Sequence, residues 1–252
     1  MSFDLVTSFP TLRNAPIVEA AIDFRVERRP DITLSQLEKF GIGLEVEFPK
    51  KSERRSLHAN VEFKDGDARL VTPSSESDGF AFTSSDGKLV VQTSFDGFTL
   101  SRLKPYESWS TFRYRAIQLW KRYLAVSRPT HVTRLGVRNI NRIATDPGVD
   151  LFGVILTGPQ IAMALPQTLA DFFIRMVIPD PSGSVVVIHE TFGPVELGES
   201  TQPVIFDIDA SRQVQINPED EVSLWNILEE LRTSKNRIFF NSLTAKAIER
   251  YR

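Results

Sequence analysis

Residues 80–103 read FAFTSSDGKLVVQTSFDGFTLSRL. Three short runs rich in branched and aromatic residues are separated by Asp86-Gly87 and Asp96-Gly97. An Asp-Gly pair supplies the positive φ of a tight hairpin turn at little steric cost. The stretch is therefore expected to form an antiparallel meander of Phe80–Thr83, Leu89–Phe95 and Phe98–Leu103.

Upstream, Val18, Ala20, Ile22, Phe24 and Val26 alternate with Glu19, Asp23, Arg25 and Glu27, the period of a half-buried strand. Thr33-Leu34-Ser35-Gln36 has the form of a capping box for a short helix carrying Leu37 and Phe40 and stopped at Gly41. The charged run Lys50, Lys51, Glu53, Arg54 and Arg55 is followed by candidate strands at Asn60–Phe63 and Ala68–Val71, turning at Asp65-Gly66, and by a loop over 73–78.

Downstream, Ser108 is a suitable N-cap for a long helix whose Trp109, Phe112, Ala116, Leu119, Trp120 and Tyr123 recur every three or four residues. Pro129 ends it, and a strand over Val132–Ile143 follows. The order then recurs: a short helical segment near 160–170, strands at Phe172–Ile178, Val185–Thr191 and Val204–Ile208, and a helix opened by Asn217-Pro218-Glu219-Asp220. Val222, Trp225, Leu228 and Leu231 would form its buried stripe, with a last helical stretch over 236–251. The expected fold class is α+β: two pseudo-repeats of strand, helix, antiparallel meander and long helix, with the helices packed on one sheet face. The repeats would span residues 1–128 and 129–252, as two lobes or one fused domain.

The whole chain has 252 residues, 41% apolar and 25% charged, with no Cys. These proportions exclude disordered and fibrous classes, and the missing Cys excludes disulfides, thiolate zinc sites and thiol nucleophiles. The opening Met1-Ser2-Phe3-Asp4 carries neither part of a secretory signal, so the expected compartment is the cytoplasm. The charge-free stretch from Leu151 to Ala170 contains Pro159 and Pro166, which argue against a membrane span and for a buried loop or an apolar lid.

The net charge of −2 conceals segregation. From Arg102 to Arg142 there are ten basic residues and one acid; from Asp180 to Glu230 there are eleven acids and one base. Tyr106, Trp109, Tyr114, Trp120 and Tyr123 lie inside the basic segment, so Arg113, Arg115, Lys121 and Arg122 are candidate nucleic-acid contacts, or else the solvated face of a helix. The same segregation would allow a homo-oligomer held by opposite charges.

Arg134, Arg138 and Arg142 are spaced by four in an extended run, so they share one face about 13 Å apart in succession. Gly136 would leave the backbone beside them open. Three guanidiniums on one surface suit a phosphate or carboxylate, and form the candidate anion site. The alternative is an ion-pair ladder with Glu19 and Asp23. Asn139 and Asn141 point to the other side and need hydrogen-bond partners if that side is core.

Metal and catalytic patterns are weak. His58, His131 and His189 stand in no ligand spacing. Asp207 and Asp209, with Glu190 on a neighbouring strand, are the best carboxylate set for Mg²⁺ and hence for a nuclease. No phosphate loop, dinucleotide fingerprint or nucleophile elbow occurs, so the chain reads as a binding protein rather than an enzyme, with no cofactor implied.

Three stretches carry a resemblance: Asn14-Ala15-Pro16-Ile17-Val18-Glu19-Ala20, Thr133-Arg134-Leu135-Gly136-Val137-Arg138-Asn139-Ile140-Asn141-Arg142-Ile143, and Asn241-Ser242-Leu243-Thr244-Ala245-Lys246. Together they resemble a sporadically distributed prokaryotic family of proteins of about this length with no assigned activity. The resemblance transfers no catalytic residues. It implies an accessory role, such as a defence or toxin–antitoxin module. The expected function is recognition of an anionic small molecule or an acidic protein partner.

Overall fold

The computed structural model describes residues 9–58, 61–64, 67–70, 74–145, 151–198 and 200–252. Along the chain run β1 (Ile17–Val26), α1 (Leu34–Glu38), β2 (Lys50–His58), β3 (Val61–Lys64), β4 (Asp67–Leu70), β5 (Ser74–Thr83), β6 (Leu89–Ser94), β7 (Gly97–Leu103) and α2 (Trp109–Ser127). They are followed by β8 (Val132–Ile143), β9 (Phe173–Pro179), β10 (Val185–Phe192), β11 (Val204–Ile216), α3 (Glu221–Ser242) and α4 (Ala245–Glu249).

Nine strands form one sheet in the order β2-β5-β6-β7-β1-β8-β11-β10-β9, all neighbours antiparallel, while β3 and β4 pair separately. This corrects the expected α+β architecture of two repeats with helices layered on one face. A single antiparallel sheet is the body of the protein, and of the four α-helices among the described residues two have only five residues each. Two physical causes stand out. The helix expected near 160–170 does not form, because Pro159 and Pro166 interrupt the hydrogen-bond ladder; the segment is irregular, with Met163 93% exposed. And β1 and β8 each keep a free hydrogen-bonding edge that the other satisfies, which joins all the long strands into one sheet.

Other boundaries shift for local reasons. The charged run at 50–55 becomes β2, a sheet edge, where charged side chains are tolerated and discourage further pairing. The loop expected over 73–78 instead opens β5 from Ser74. Asp65-Gly66 and Pro73 lie outside the described residues. β11 runs on to Ile216, pairing with nearly the whole of β8. Helix α3 is capped by Asp220, whose carboxylate accepts from Ser223 N–H at 3.1 Å, one turn later than Asn217-Pro218 suggests. It continues through Ser242, with Leu224 rather than the exposed Val222 in its buried stripe.

The turn and cap chemistry follows the residues. Gly87 takes φ +71, and Asp86 accepts from Ser84 Oγ at 2.6 Å and from Lys88 N–H at 3.0 Å. Thr33 N–H donates to Gln36 Oε1 at 2.7 Å. Ser108 Oγ accepts from Thr111 N–H at 3.1 Å, and α2 ends where Arg128 turns left-handed ahead of Pro129.

Phe24 on β1 is the hub of the core. Its ring stacks on Trp120 of α2 at 4.2 Å and meets Trp225 of α3 edge-on at 5.7 Å, so both long helices bear on the centre of the sheet. Removing such a ring costs about 3–5 kcal/mol. No helix among the described residues is long and apolar enough to cross a membrane.

Candidate functional site

The polar face of the sheet is a ladder of ion pairs. Arg134 reaches Asp23 of β1 at 2.8 Å and Asp209 of β11 at 2.9 Å. Arg138 grips Asp207 through two nitrogens, at 2.7 and 2.6 Å. Arg142 donates to the Pro194 carbonyl at 2.9 Å and faces Glu196 at 3.5 Å. The anion-site expectation for Arg134, Arg138 and Arg142 thus gives way to internal pairing, for the first two with the flanking strands β1 and β11 and for Arg142 with the segment after β10. Gly136 has a different use from the one expected. A Cβ there would lie 2.9 Å from Nη1 of Arg134, so the glycine leaves room for that guanidinium to lie across the strand toward Asp209.

The carboxylates of this face are accordingly committed. Asp207 also stands 3.3 Å from His189 Nδ1. Burial raises the Asp209 carboxyl, against the pull of Arg134. Glu190 cannot join them as a metal ligand: it pairs in register with Phe206 and projects to the opposite, core face. Among the described residues no group of three or more His, Asp or Glu could hold a metal.

The candidate nucleic-acid residues on α2 are also engaged. Arg113 lies 3.4 Å from Glu229, Lys121 2.8 Å from Glu221, Arg115 is bonded to Glu47, and Arg122 donates to the Phe40 carbonyl at 2.6 Å. Trp120 and Tyr123 are core. The segregated charges of the sequence therefore meet inside the chain, β8 against β11 and α2 against α3.

The opposite face holds a cavity of about 360 Å³. Its floor is Ala20 of β1 with Val137, Asn139 and Asn141 of β8; its walls include Trp109 at the start of α2 and Arg232, Lys235 and Asn236 of α3. Phe9 and Phe240, stacked at 5.2 Å, line it too. Ala20 faces inward where its neighbours Ile22 and Phe24 fill the core, and that missing volume helps open the space.

Lys235 is the unusual group here. The residue is 5% exposed, and among the described residues no carboxylate comes within salt-bridge distance of it. Its Nζ donates to Asn236 Oδ1 at 3.0 Å. With the Asn139 amide turned so that its nitrogen donates to the Arg138 carbonyl at 2.9 Å, Asn139 Oδ1 accepts from Lys235 Nζ at 2.8 Å. Burial, and then the neighbouring positive charge of Arg232, push the amine down to about 7. Asn141 donates to the Phe206 carbonyl at 2.9 Å, so both strand asparagines are satisfied on the core side.

No protein-family model and no curated protein matches the chain. What the cavity can do must be read from its own groups.

Arg232 stands one turn before Lys235 on the same helix face, its guanidinium 5.5 Å from the centre of the Trp109 ring. Trp109 Nε1 in turn donates to Glu229, which also approaches Arg232 at 3.5 Å. The site therefore offers one guanidinium, one buried amine, three amides (Asn139, Asn141 and Asn236), the Glu107 carboxylate and aromatic walls. The sequence held a signal for it. The stripe Leu224, Leu228, Leu231 reaches Lys235 at the next core position before Phe239, and a lysine in that register is exceptional. The signal was lost because the buried stripe was expected to end at Leu231, with a separate helical stretch over about 236–251.

Proposed function

We propose that the protein is a cytoplasmic binding protein for a small anionic molecule with an apolar body, held in the cavity between α2, α3 and the central strands. The observation that carries this reading is Lys235, a buried amine with two amide partners and, among the described residues, no carboxylate at salt-bridge distance, on the wall of a cavity of mixed apolar and polar lining. Arg232, 3.5 Å from Glu229, supplies a guanidinium at the same wall, and the Trp109 and Phe240 rings supply apolar contact. A carboxylate is an anion that a guanidinium can receive bidentately, with amides alongside to donate to it. An accessory, regulatory role agrees with such a pocket, since binding would tie together α2, α3 and the segment that carries Phe9.

The test is thermal denaturation with hexanoate and phenylacetate, each set against its uncharged amide. The carboxylates should raise the melting temperature and the amides should not, and Arg232→Gln should remove the difference. Equal shifts from acid and amide, or no shift from either, would refute the reading.

A further inference from the structure

We infer that Lys235 is a carbonyl-condensing amine, and that the cavity's ligand is a 2-oxo acid taken up as a reversible imine on Nζ. This rests on the reading of the cavity as an anion site and specifies its ligand.

The argument begins with geometry at the nitrogen. A neutral primary amine has two N–H bonds and one lone pair. In Lys235 the two acceptors within reach are Asn139 Oδ1 at 2.8 Å and Asn236 Oδ1 at 3.0 Å. Two donated hydrogen bonds use both N–H groups of the neutral form, so the lone pair occupies the remaining tetrahedral direction. The ammonium form would carry a third N–H, and its charge has no carboxylate within salt-bridge distance among the described residues. The surroundings thus fit the nucleophilic form of the amine better than the charged one. An amine near 7 has a neutral fraction at pH 7 about a thousand-fold above that of an ordinary lysine.

The second element is placement of the other end of the ligand. Arg232, on the same face of α3 one turn earlier, lines the same space, and its contact with Glu229 at 3.5 Å is one that a ligand carboxylate would take over. A carboxylate adjacent to a carbonyl, as in a 2-oxo acid, can meet Arg232 while its carbonyl carbon faces Nζ. The apolar walls take the remaining chain and limit water, which favours the dehydrated product.

The step balances without an oxidant or a reductant. The Nζ lone pair forms a bond to the carbonyl carbon while the carbonyl π pair moves to oxygen. A proton passes from nitrogen to that oxygen, giving a carbinolamine. The hydroxyl then leaves with a proton as water and the nitrogen pair forms the C=N bond. Amine and ketone become imine and water.

The experiment exposes the full chain near neutral pH to pyruvate or 2-oxohexanoate with cyanoborohydride, which reduces an imine to a stable secondary amine. The expected result is one label per chain, of the mass of the oxo acid less one oxygen, mapped to Lys235 at least ~10²-fold faster than to any other lysine. The label should be absent from Lys235→Arg. Should that variant not fold, wild-type protein saturated with hexanoate serves instead, and the rate at Lys235 should fall at least ten-fold. Stabilisation by hexanoate with no label at Lys235 would overturn the imine and leave the anion cavity standing. Absence of both stabilisation and label would overturn both. A label spread over surface lysines according to exposure would overturn the imine as well.

Discussion

With the Asn139 amide turned to satisfy both its groups, Lys235 Nζ lies 2.8 Å from its side-chain oxygen, a bond that joins the middle of α3 to the central strand β8 beneath it. Burial holds the amine down to about 7 in the folded protein, whereas the unfolded chain binds its proton up to the ordinary value of 10.5. Between those values the unfolded state holds more protons, so stability rises with pH from about 7 to 10.5. The slope from this one group approaches 1.4 kcal/mol per pH unit at most. Urea titrations at successive pH values should show the rise in wild-type protein and its loss in Lys235→Met.

Glu190 is expected to act in the opposite sense at lower pH. It is 0% exposed, neither carboxyl oxygen has a hydrogen-bond partner among the described residues, and burial pushes it up to about 7. Here the folded state holds the extra proton, so stability is full below the ordinary value of 4.5 and falls as pH rises through about 7. Glu190→Met should abolish that decline and gain on the order of 1–3 kcal/mol at pH 8. Taken with Lys235, wild-type stability should pass through a minimum near neutrality. A denaturation series showing a maximum there would contradict both assignments. Below pH 4 the trend is set by the depressed Asp31, Asp86, Asp180 and Asp220 carboxylates, whose stabilising bonds are lost on protonation.

Substitution of Arg138 separates the two faces of the sheet. Its side chain is half exposed, so the bond to Asp207 is worth less than a fully buried pair, about 1 kcal/mol in a double-mutant cycle with Asp207→Asn. Arg138→Ala should lower stability by about 1–2 kcal/mol, because it strips a largely buried carboxylate of its bidentate partner. Ligand uptake by the cavity should be unchanged, since Arg138 points away from it. Calorimetry with hexanoate on the variant checks this directly.

Gly136→Ala tests the crossing of Arg134 over the strand. The new Cβ would press on Nη1 at 2.9 Å, and the guanidinium can move only by lengthening its bonds to Asp23 or Asp209. A loss of about 1 kcal/mol is expected, and it should vanish when Arg134 is first replaced by Ala. An equal loss in both backgrounds would place the strain in the backbone instead.

Much of this was written in local pattern. The period-two run of β1, the Asp86-Gly87 turn and the Ser108 cap depend only on neighbours, so they are legible from residues alone, whereas the second hairpin turns at Phe95-Asp96 and Gly97 opens β7 instead. The row of Arg134, Arg138 and Arg142 on one side of β8 was legible too, but not its neutralisation. Asp207 and Asp209 become its partners only once β11 lies beside β8, a pairing that no short-range signal specifies. The cavity was hidden for a related reason. It needs Ala20, Asn139 and Lys235 from three elements, and Ser234-Lys235-Asn236-Arg237 looks like the polar exit of a helix rather than its middle. Repetition of element order misled in another way: it suggested two layered units where the edges of β1 and β8 merge them into one sheet.

The seam between those two strands has a temporal consequence. Ile22 pairs with Val137, so the centre of the molecule joins segments that leave the ribosome far apart in time. Until Ile143 has emerged, β1 presents one bare flank of amides and carbonyls to the cell, guarded on one side by Glu19, Asp23 and Arg25. Assembly dominated by so distant a union belongs to the slow end of folding, milliseconds to seconds or longer, and the nascent chain is then a natural client for chaperones.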